Sequence, residues 1–234
     1  MRNVNDHLFE VRYKPNPIVL DYRGAWTKAI SDLLELKEWR ITENRVDVSD
    51  KSIRHHAFVS FNNAGFMTRN SPTRNYFPDN SKKFMKLLFQ LEGFEDKPHV
   101  ERIGVRSRFC NQFDGPFDEL VSLYSTHIIS LNEHLRKDLG IELLDIGSPL
   151  TMKDKLGNIN FMGGPMVSEQ TAQFFKTPID EVSGLPKVGL VFDIDYWITP
   201  NKSLTEDELV TQISLFADES WKHNETLRKR VTGG

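Results

Sequence analysis

The sequence predicts an α+β fold, a mostly antiparallel sheet with helices packed on one face. Three observations carry this expectation. Strands with a period-two pattern recur along the chain, each with one apolar and one charged side: Phe9, Val11 and Tyr13 oppose Glu10, Arg12 and Lys14; Ile103, Val105 and Phe109 oppose Arg102, Arg106 and Arg108; Phe192, Ile194 and Tyr196 oppose Asp193 and Asp195. Between them lie segments whose apolar residues recur at helical spacing. The element order, roughly βαβββαβ, then αββ, a weakly patterned stretch and βα, lacks the regular strand–helix beat of a parallel doubly wound sheet. A division near Gly115 gives an N-terminal α+β half, 1–114, and a C-terminal half, 115–234, readable as two related halves or as one continuous domain.

Taken in order, Leu8 to Tyr13 reads as a strand stopped by Pro15 and Pro17, which cannot donate to a ladder. Arg23 to Leu36 reads as a helix on Trp26, Ile30, Leu33 and Leu34. Trp39 to Val48 and Ala57 to Phe61 read as strands, with Asn62-Asn63-Ala64-Gly65 as the turn to Phe66-Met67-Thr68. A helix starting near Asp79 or Asn80 carries Phe84, Leu87, Leu88 and Leu91 and ends at Gly93. A strand follows from Val100 to Cys110. After Gly115-Pro116 a helix carries Phe117, Leu120, Val121, Tyr124, Ile128, Leu131 and Leu135 and closes at Gly140. Strands are expected at Ile141 to Ile146 and around Ile159 to Phe161, with Gly163-Gly164 before Pro165 as a turn. Gly163 to Gly184 is poorly patterned, a short helix between loops. Lys187 to Ile198 is a strand, and Ser203 with Glu206 forms a capping box for a last helix, about Leu204 to Arg230, which buries Leu209, Ile213, Phe216, Ala217 and Leu227.

The composition is globular: 38% hydrophobic, 27% charged and 11% aromatic over 234 residues, enough to bury a core without staples. A net charge of -3 gives no global reason to expect nucleic acid or an acidic membrane. One cysteine, Cys110, excludes an intrachain disulfide and a cysteine-rich zinc site. No apolar run approaches the roughly 20 residues of a membrane helix, and the N-terminus has no signal-type segment, so the expected location is the cytoplasm.

Phosphate-binding Gly-Lys-Ser/Thr loops, dinucleotide fingerprints, His-Glu-x-x-His and Gly-x-Ser-x-Gly are all missing. Cys110 reads as packing material rather than a nucleophile. His55 and His56 point to opposite faces of a strand and do not share a metal. The charged strand sides have two readings. In one they form a solvated face whose charges pair across strands. In the other they converge on a groove where Arg12, Lys14, Arg102, Arg106 and Arg108 hold an anion while Asp193 and Asp195 hold a divalent cation or the arginines themselves. Glu10-Val11-Arg12-Tyr13-Lys14 resembles the N-terminal Glu-x-Glu-x-Lys strand of tunnel-type triphosphate hydrolases, with arginine in place of the middle acid. That resemblance implies a metal-dependent phosphohydrolase as the enzyme alternative. Leu227-Arg228-Lys229-Arg230-Val231-Thr232-Gly233-Gly234 resembles the tail of ubiquitin-like modifiers, which implies conjugation through Gly233 and Gly234; the alternative is a helix cap and a frayed end.

The strand Val100-Glu101-Arg102-Ile103-Gly104-Val105-Arg106 before a long helix, the opening Phe9-Glu10-Val11-Arg12 and the late Phe192-Asp193-Ile194-Asp195 strand before a C-terminal helix are together similar to a sporadically distributed, uncharacterised bacterial protein family. The order and spacing match along most of the chain. The family implies no activity or cofactor; its patchy distribution implies mobile genes such as phage-defence or toxin–antitoxin loci. The expectation is therefore a non-enzymatic binding or regulatory protein, with a protein partner, a homodimer supported by its many aromatic residues, and no nucleic acid.

Overall fold

The computed structural model describes residues 4–52, 54–94, 99–129, 143–177 and 179–233. Its first strand, β1 (Val4–Tyr13), becomes the middle of the sheet. α1 (Val19–Leu34) follows, then β2 (Glu38–Ile41), β3 (Arg45–Asp50), β4 (His55–Ser60), β5 (Asn63–Arg69) and α2 (Tyr76–Leu88). The second part of the chain gives β6 (Val100–Gln112), α3 (Phe117–Tyr124) with a π-helical turn Ser125–Ile129, β7 (Leu150–Lys153), β8 (Asn158–Val167), α4 (Ser168–Phe175), a 3-10 turn Ile179–Gly184, β9 (Val188–Ile198) and α5 (Glu206–Thr232).

The fold is α+β. One nine-stranded sheet runs in the order β2-β3-β4-β5-β1-β6-β9-β8-β7, and every described pairing is antiparallel. Both parts of the chain contribute to it in the same way. In each, a central strand is followed by a helix, then by strands that meander back from the edge, and then by a helix: β1, α1, β3-β4-β5, α2 against β6, α3, β7-β8-β9, α5. The last strand of each meander returns beside its own central strand, β5 against β1 and β9 against β6. β1 and β6 pair with each other from Val4↔Cys110 to Tyr13↔Val100. β2 is an addition to the first meander, and α4 with the 3-10 turn is an addition to the second.

Alternation decides which side of the sheet is covered. Phe9, Val11, Tyr13, Ile103, Val105, Phe109, Phe192, Ile194 and Tyr196 all point to the side on which α1, α2, α3 and α5 pack, through Trp26 and Ile30, Phe77 and Phe84, Leu120 and Tyr124, and Leu209, Ile213 and Phe216. The exception is α4, which lies on the opposite side, its Phe175 buried against Cys110 and Val191. No helix among the described residues is long and apolar enough to cross a membrane.

Several element boundaries differ from expectation for identifiable reasons. α1 begins at Val19, four residues early, because Pro17 sits in the turn before it, and its Leu33 is exposed while Trp26, Ile30 and Leu34 are buried. α2 begins at Tyr76, since Pro78 falls in the first turn, where a missing N–H costs nothing. Residues 39–48 form two strands, β2 and β3, joined by a turn closed by Thr42 and Arg45. The capping box is two residues later than expected: Glu208 N–H donates to Thr205 Oγ1 at 3.2 Å and Thr205 N–H to Glu208 Oε2 at 2.8 Å. Residues 143–146 are not strand, and Leu131, Leu135, Gly140 and Ile141 lie outside the described residues.

Two glycine assignments change. Gly163 and Gly164 are not a turn; they lie inside β8, paired with Phe192 and Val191. A side chain on Gly164 would meet the carbonyl of Ile146 at 2.4 Å, so the 143–149 segment crosses the edge of β8 at its one bare stretch of backbone. Gly65 likewise sits in β5, not in a turn, and a Cβ there would lie 2.4 Å from Phe9 O and 2.7 Å from the Phe58 ring. Gly65→Ala is therefore expected to force the central strand apart and lower stability by about 1–3 kcal/mol, read from the midpoint of urea unfolding.

Candidate functional site

The charged sides of β1, β6 and β9 do come together, on the sheet side opposite the main core. Register places Asp6 beside Arg108, Leu8 beside Arg106 and Arg12 beside Arg102 across β1 and β6. Across β6 and β9 it places Arg106 beside Asp195 and Arg108 beside Asp193. The side chains then close on one another. Arg106 Nε donates to both oxygens of Asp193 at 2.9 and 3.0 Å and its Nη2 makes a further contact, a bidentate clamp on a buried carboxylate. Arg102 lies 3.6 Å from Asp195 and over the Trp197 ring, and Arg12 pairs with Glu10 of its own strand. Lys14 is exposed and has no ion pair among the described residues. Asp193 and Asp195 are each engaged by an arginine, and among the described residues no group of three His, Cys, Asp or Glu is placed to hold a metal.

Arg108 does something different. Its Nη2 donates to Asp6 at 2.7 Å, its Nη1 to the carbonyl of Phe174 at 2.9 Å, and its guanidinium stands over the Phe174 and Phe175 rings. Arg69, from β5, donates to the carbonyl of Phe175 at 2.8 Å. The two arginines thus hold the C-terminal carbonyls of α4, where unpaired acceptors and the negative end of the helix dipole favour cations. Burial pushes the Asp6 carboxyl up from the usual range, with Arg108 and Arg69 opposing that shift, and burial lowers the Arg108 guanidinium. Burial also raises Asp195, while the hydrogen bond to Asp193 raises Arg106.

Beside this charge ladder lies an apolar groove of about 650 Å³. Its floor is the open side of β8 and β9, Met162, Gly164, Met166 and Val191; Phe174 of α4 forms one wall and the 145–147 segment the other. A neighbouring hollow of about 390 Å³ shares Met162 and is lined by Arg106, Asn160, Asp193 and Asp195. Groove and charge ladder are one continuous surface.

The remaining expected residues are placed as follows. His55 is buried on the helix side and His56 faces the other way onto Asp47 at 2.8 Å. Cys110 is buried, its thiol pushed up to about 12 by burial, which suits packing rather than nucleophilic attack. Gly233 is the left-handed cap of α5, with φ of 72° and its N–H on the carbonyl of Lys229; Gly234 lies outside the described residues. Asp6, Arg69, Met162 and Met166 were missed. The signal for the methionines was present: Asn160, Met162, Gly164 and Met166 continue the period-two pattern of Asn158 once Gly163-Gly164 is read as strand.

No protein-family model matches the chain, and no curated protein matches it.

Proposed function

We propose that this protein is a non-enzymatic binding module that takes a polypeptide partner on its open sheet side. The observation that carries the reading is the Met162–Met166 groove opening directly onto the Arg106–Asp193 pair. Thioether side chains are unbranched and polarizable, and adapt to the shape of an incoming apolar residue. The paired charges at the rim supply register and orientation more than raw affinity. A segment with one or two large apolar side chains fits the groove, and a polar flank meets Asn160 and Arg106 beside it. Asp193 and Asp195 held by arginines favour this over a metal-dependent phosphohydrolase, which needs those carboxylates for a cation. A role in a mobile defence or toxin–antitoxin system is served by the same docking, the partner being the second protein of the pair.

The test is native mass spectrometry of the protein purified from its own source, followed by titration of the recovered partner. Met162 is 41% exposed, so Met162→Asp leaves the fold intact. It is expected to weaken the partner by about 30-fold or more, the loss of a central apolar contact plus a buried carboxylate. Unchanged affinity sinks the groove reading. A phosphate- or nucleotide-sized adduct lost in Arg106→Ala, with no protein partner, moves the phosphohydrolase to first place.

A further inference from the structure

A second cavity, of about 470 Å³, lies on the same side of the sheet but beyond α4, between the ends of β1 and β5 and the 3-10 turn. Unlike the methionine groove it is polar, lined among others by Asp6, Arg54, Arg69, Asn70, Thr177 and Ser183. Its lining carries two guanidiniums, Arg54 and Arg69, and two carboxylates, Asp6 and Glu181. Asp6 is committed to Arg108 at 2.7 Å, and Glu181 to Arg54 at 3.2 Å. That leaves Arg69 under-matched: its Nε is buried without a hydrogen-bond partner, its nearest carboxylate oxygen is 3.5 Å away, and its one strong bond is to a backbone carbonyl. Three guanidiniums thus share two carboxylates, Arg54 and Arg69 in the lining and Arg108 outside it on Asp6. Neutral donors face the same space. The hydroxyls of Thr177 and Ser183 have no hydrogen-bond partner among the described residues, and Asn70 uses its oxygen for the Asn5 N–H, keeping its amide hydrogens for another acceptor.

We propose that this cavity binds a small oxyanion of the phosphate class, held by Arg69 and Arg54 with Asn70, Thr177 and Ser183. The chemistry is that of planar guanidinium donors around a tetrahedral acceptor, one of them, Arg69, without a close carboxylate of its own. An incoming oxyanion gives the Arg69 guanidinium the close anionic partner that Asp6, 3.5 Å away and bonded to Arg108, does not. The cavity exceeds a bare phosphate, so a phosphorylated small molecule fits with its remainder toward Leu185 and Gly184. The site is independent of the methionine groove, and neither needs the other.

Isothermal titration of the full chain with inorganic phosphate at fixed ionic strength, with sodium chloride as control, tests this. Saturable binding at one site is expected. Arg54→Gln, at a half-exposed position outside the core, should weaken it about tenfold, because one charge-assisted bond is lost and Glu181 is left unopposed. Thr177→Val should weaken it about fivefold, while Lys153→Gln, at the far edge of the sheet, should leave it unchanged. Adenosine monophosphate in parallel separates the two sources of the anion: tighter binding than phosphate assigns the site to phosphorylated small molecules, and weaker binding assigns it to the free ion. No heat above the chloride control, or equal affinity in wild type and Arg54→Gln, overturns the proposal.

Discussion

Arg108→Ala is expected to cost about 3–5 kcal/mol of stability, the range for removing one partner of a buried ion pair. The Arg108 side chain is 17% exposed and that of Asp6 4%, so its loss strands a desolvated carboxylate with only a 3.5 Å contact to Arg69. It also removes the donor to the Phe174 carbonyl and the cation over two phenylalanine rings. Arg102→Ala is the contrast: a 3.6 Å contact between groups about 30% exposed should cost no more than about 1 kcal/mol. Urea unfolding of both variants reads the difference. Replacing both Arg108 and Asp6 with apolar residues of similar volume should recover most of the loss, since neither buried charge is then left alone. Amide exchange in Arg108→Ala should rise first in Ser168–Phe175, the helix that Arg108 and Arg69 hold by its last carbonyls. Equal costs for Arg108→Ala and Arg102→Ala would mean that the α4 clamp is not what Arg108 does.

That clamp was half legible in the sequence. Alternation along 102–108 put three arginines on one side of a strand, and alternation along 192–196 put two aspartates on the same kind of side. What alternation does not report is the partner. Asp6 precedes a stretch, Asn5-Asp6-His7, that is polar on both sides, so the strand reads as starting at Leu8 even though all three residues are buried. α4 is eight residues long and its N-cap, Val167, has no side-chain acceptor to offer, and the propensity of so short a helix is weak; its place is set by Phe175 and the two arginines, a tertiary contact across more than sixty residues of chain. The repeated βα-meander-α plan was not legible as such: the second unit opens with β6 (Val100–Gln112), which lies on the N-terminal side of the division read near Gly115. The groove was hidden by Gly163-Gly164-Pro165, a triplet that ordinarily marks a turn. Here it is strand, because the Ile146 carbonyl and the Phe192 ring occupy the space where side chains would stand. The same rule explains Gly65, which the Phe58 ring covers.

The polar stretch that hides the start of β1 also sets the response to acid. His7 is fully buried between Phe77, Phe109 and Trp221, with Nδ1 bonded to Ser107 Oγ at 2.9 Å and Nε2 without a partner. Burial holds its pKa at about 3, far below the 6.5 of an unfolded histidine. Below pH 6.5 the unfolded chain therefore takes a proton that the folded chain refuses, and stability falls as pH drops toward 3. At 1.36 kcal/mol per pH unit the loss is about 2 kcal/mol by pH 5 and about 3 by pH 4. His55, lowered by burial, acts in the same direction, while Asp6 and Asp195, both raised by burial, take up their protons more readily in the folded state and partly offset the two histidines. Asp47, Asp154 and Asp218 are lowered, so their contribution is lost only as pH falls below the ordinary aspartate value of 3.8. The window from pH 6.5 to 4 thus belongs mainly to the buried histidines. His7→Leu combined with Ser107→Ala removes the titrating ring and its hydrogen-bond partner together, leaving no new orphan group among the aromatic neighbours. Urea midpoints measured at pH 7, 5 and 4 should fall steeply in the wild type and much less in the double variant, so that the double variant gains on the wild type by about 2 kcal/mol at pH 5 and about 3 at pH 4 whatever their separation at pH 7. Parallel curves would place the acid sensitivity in other groups and show that the His7 ring accepts its proton without disturbing the core.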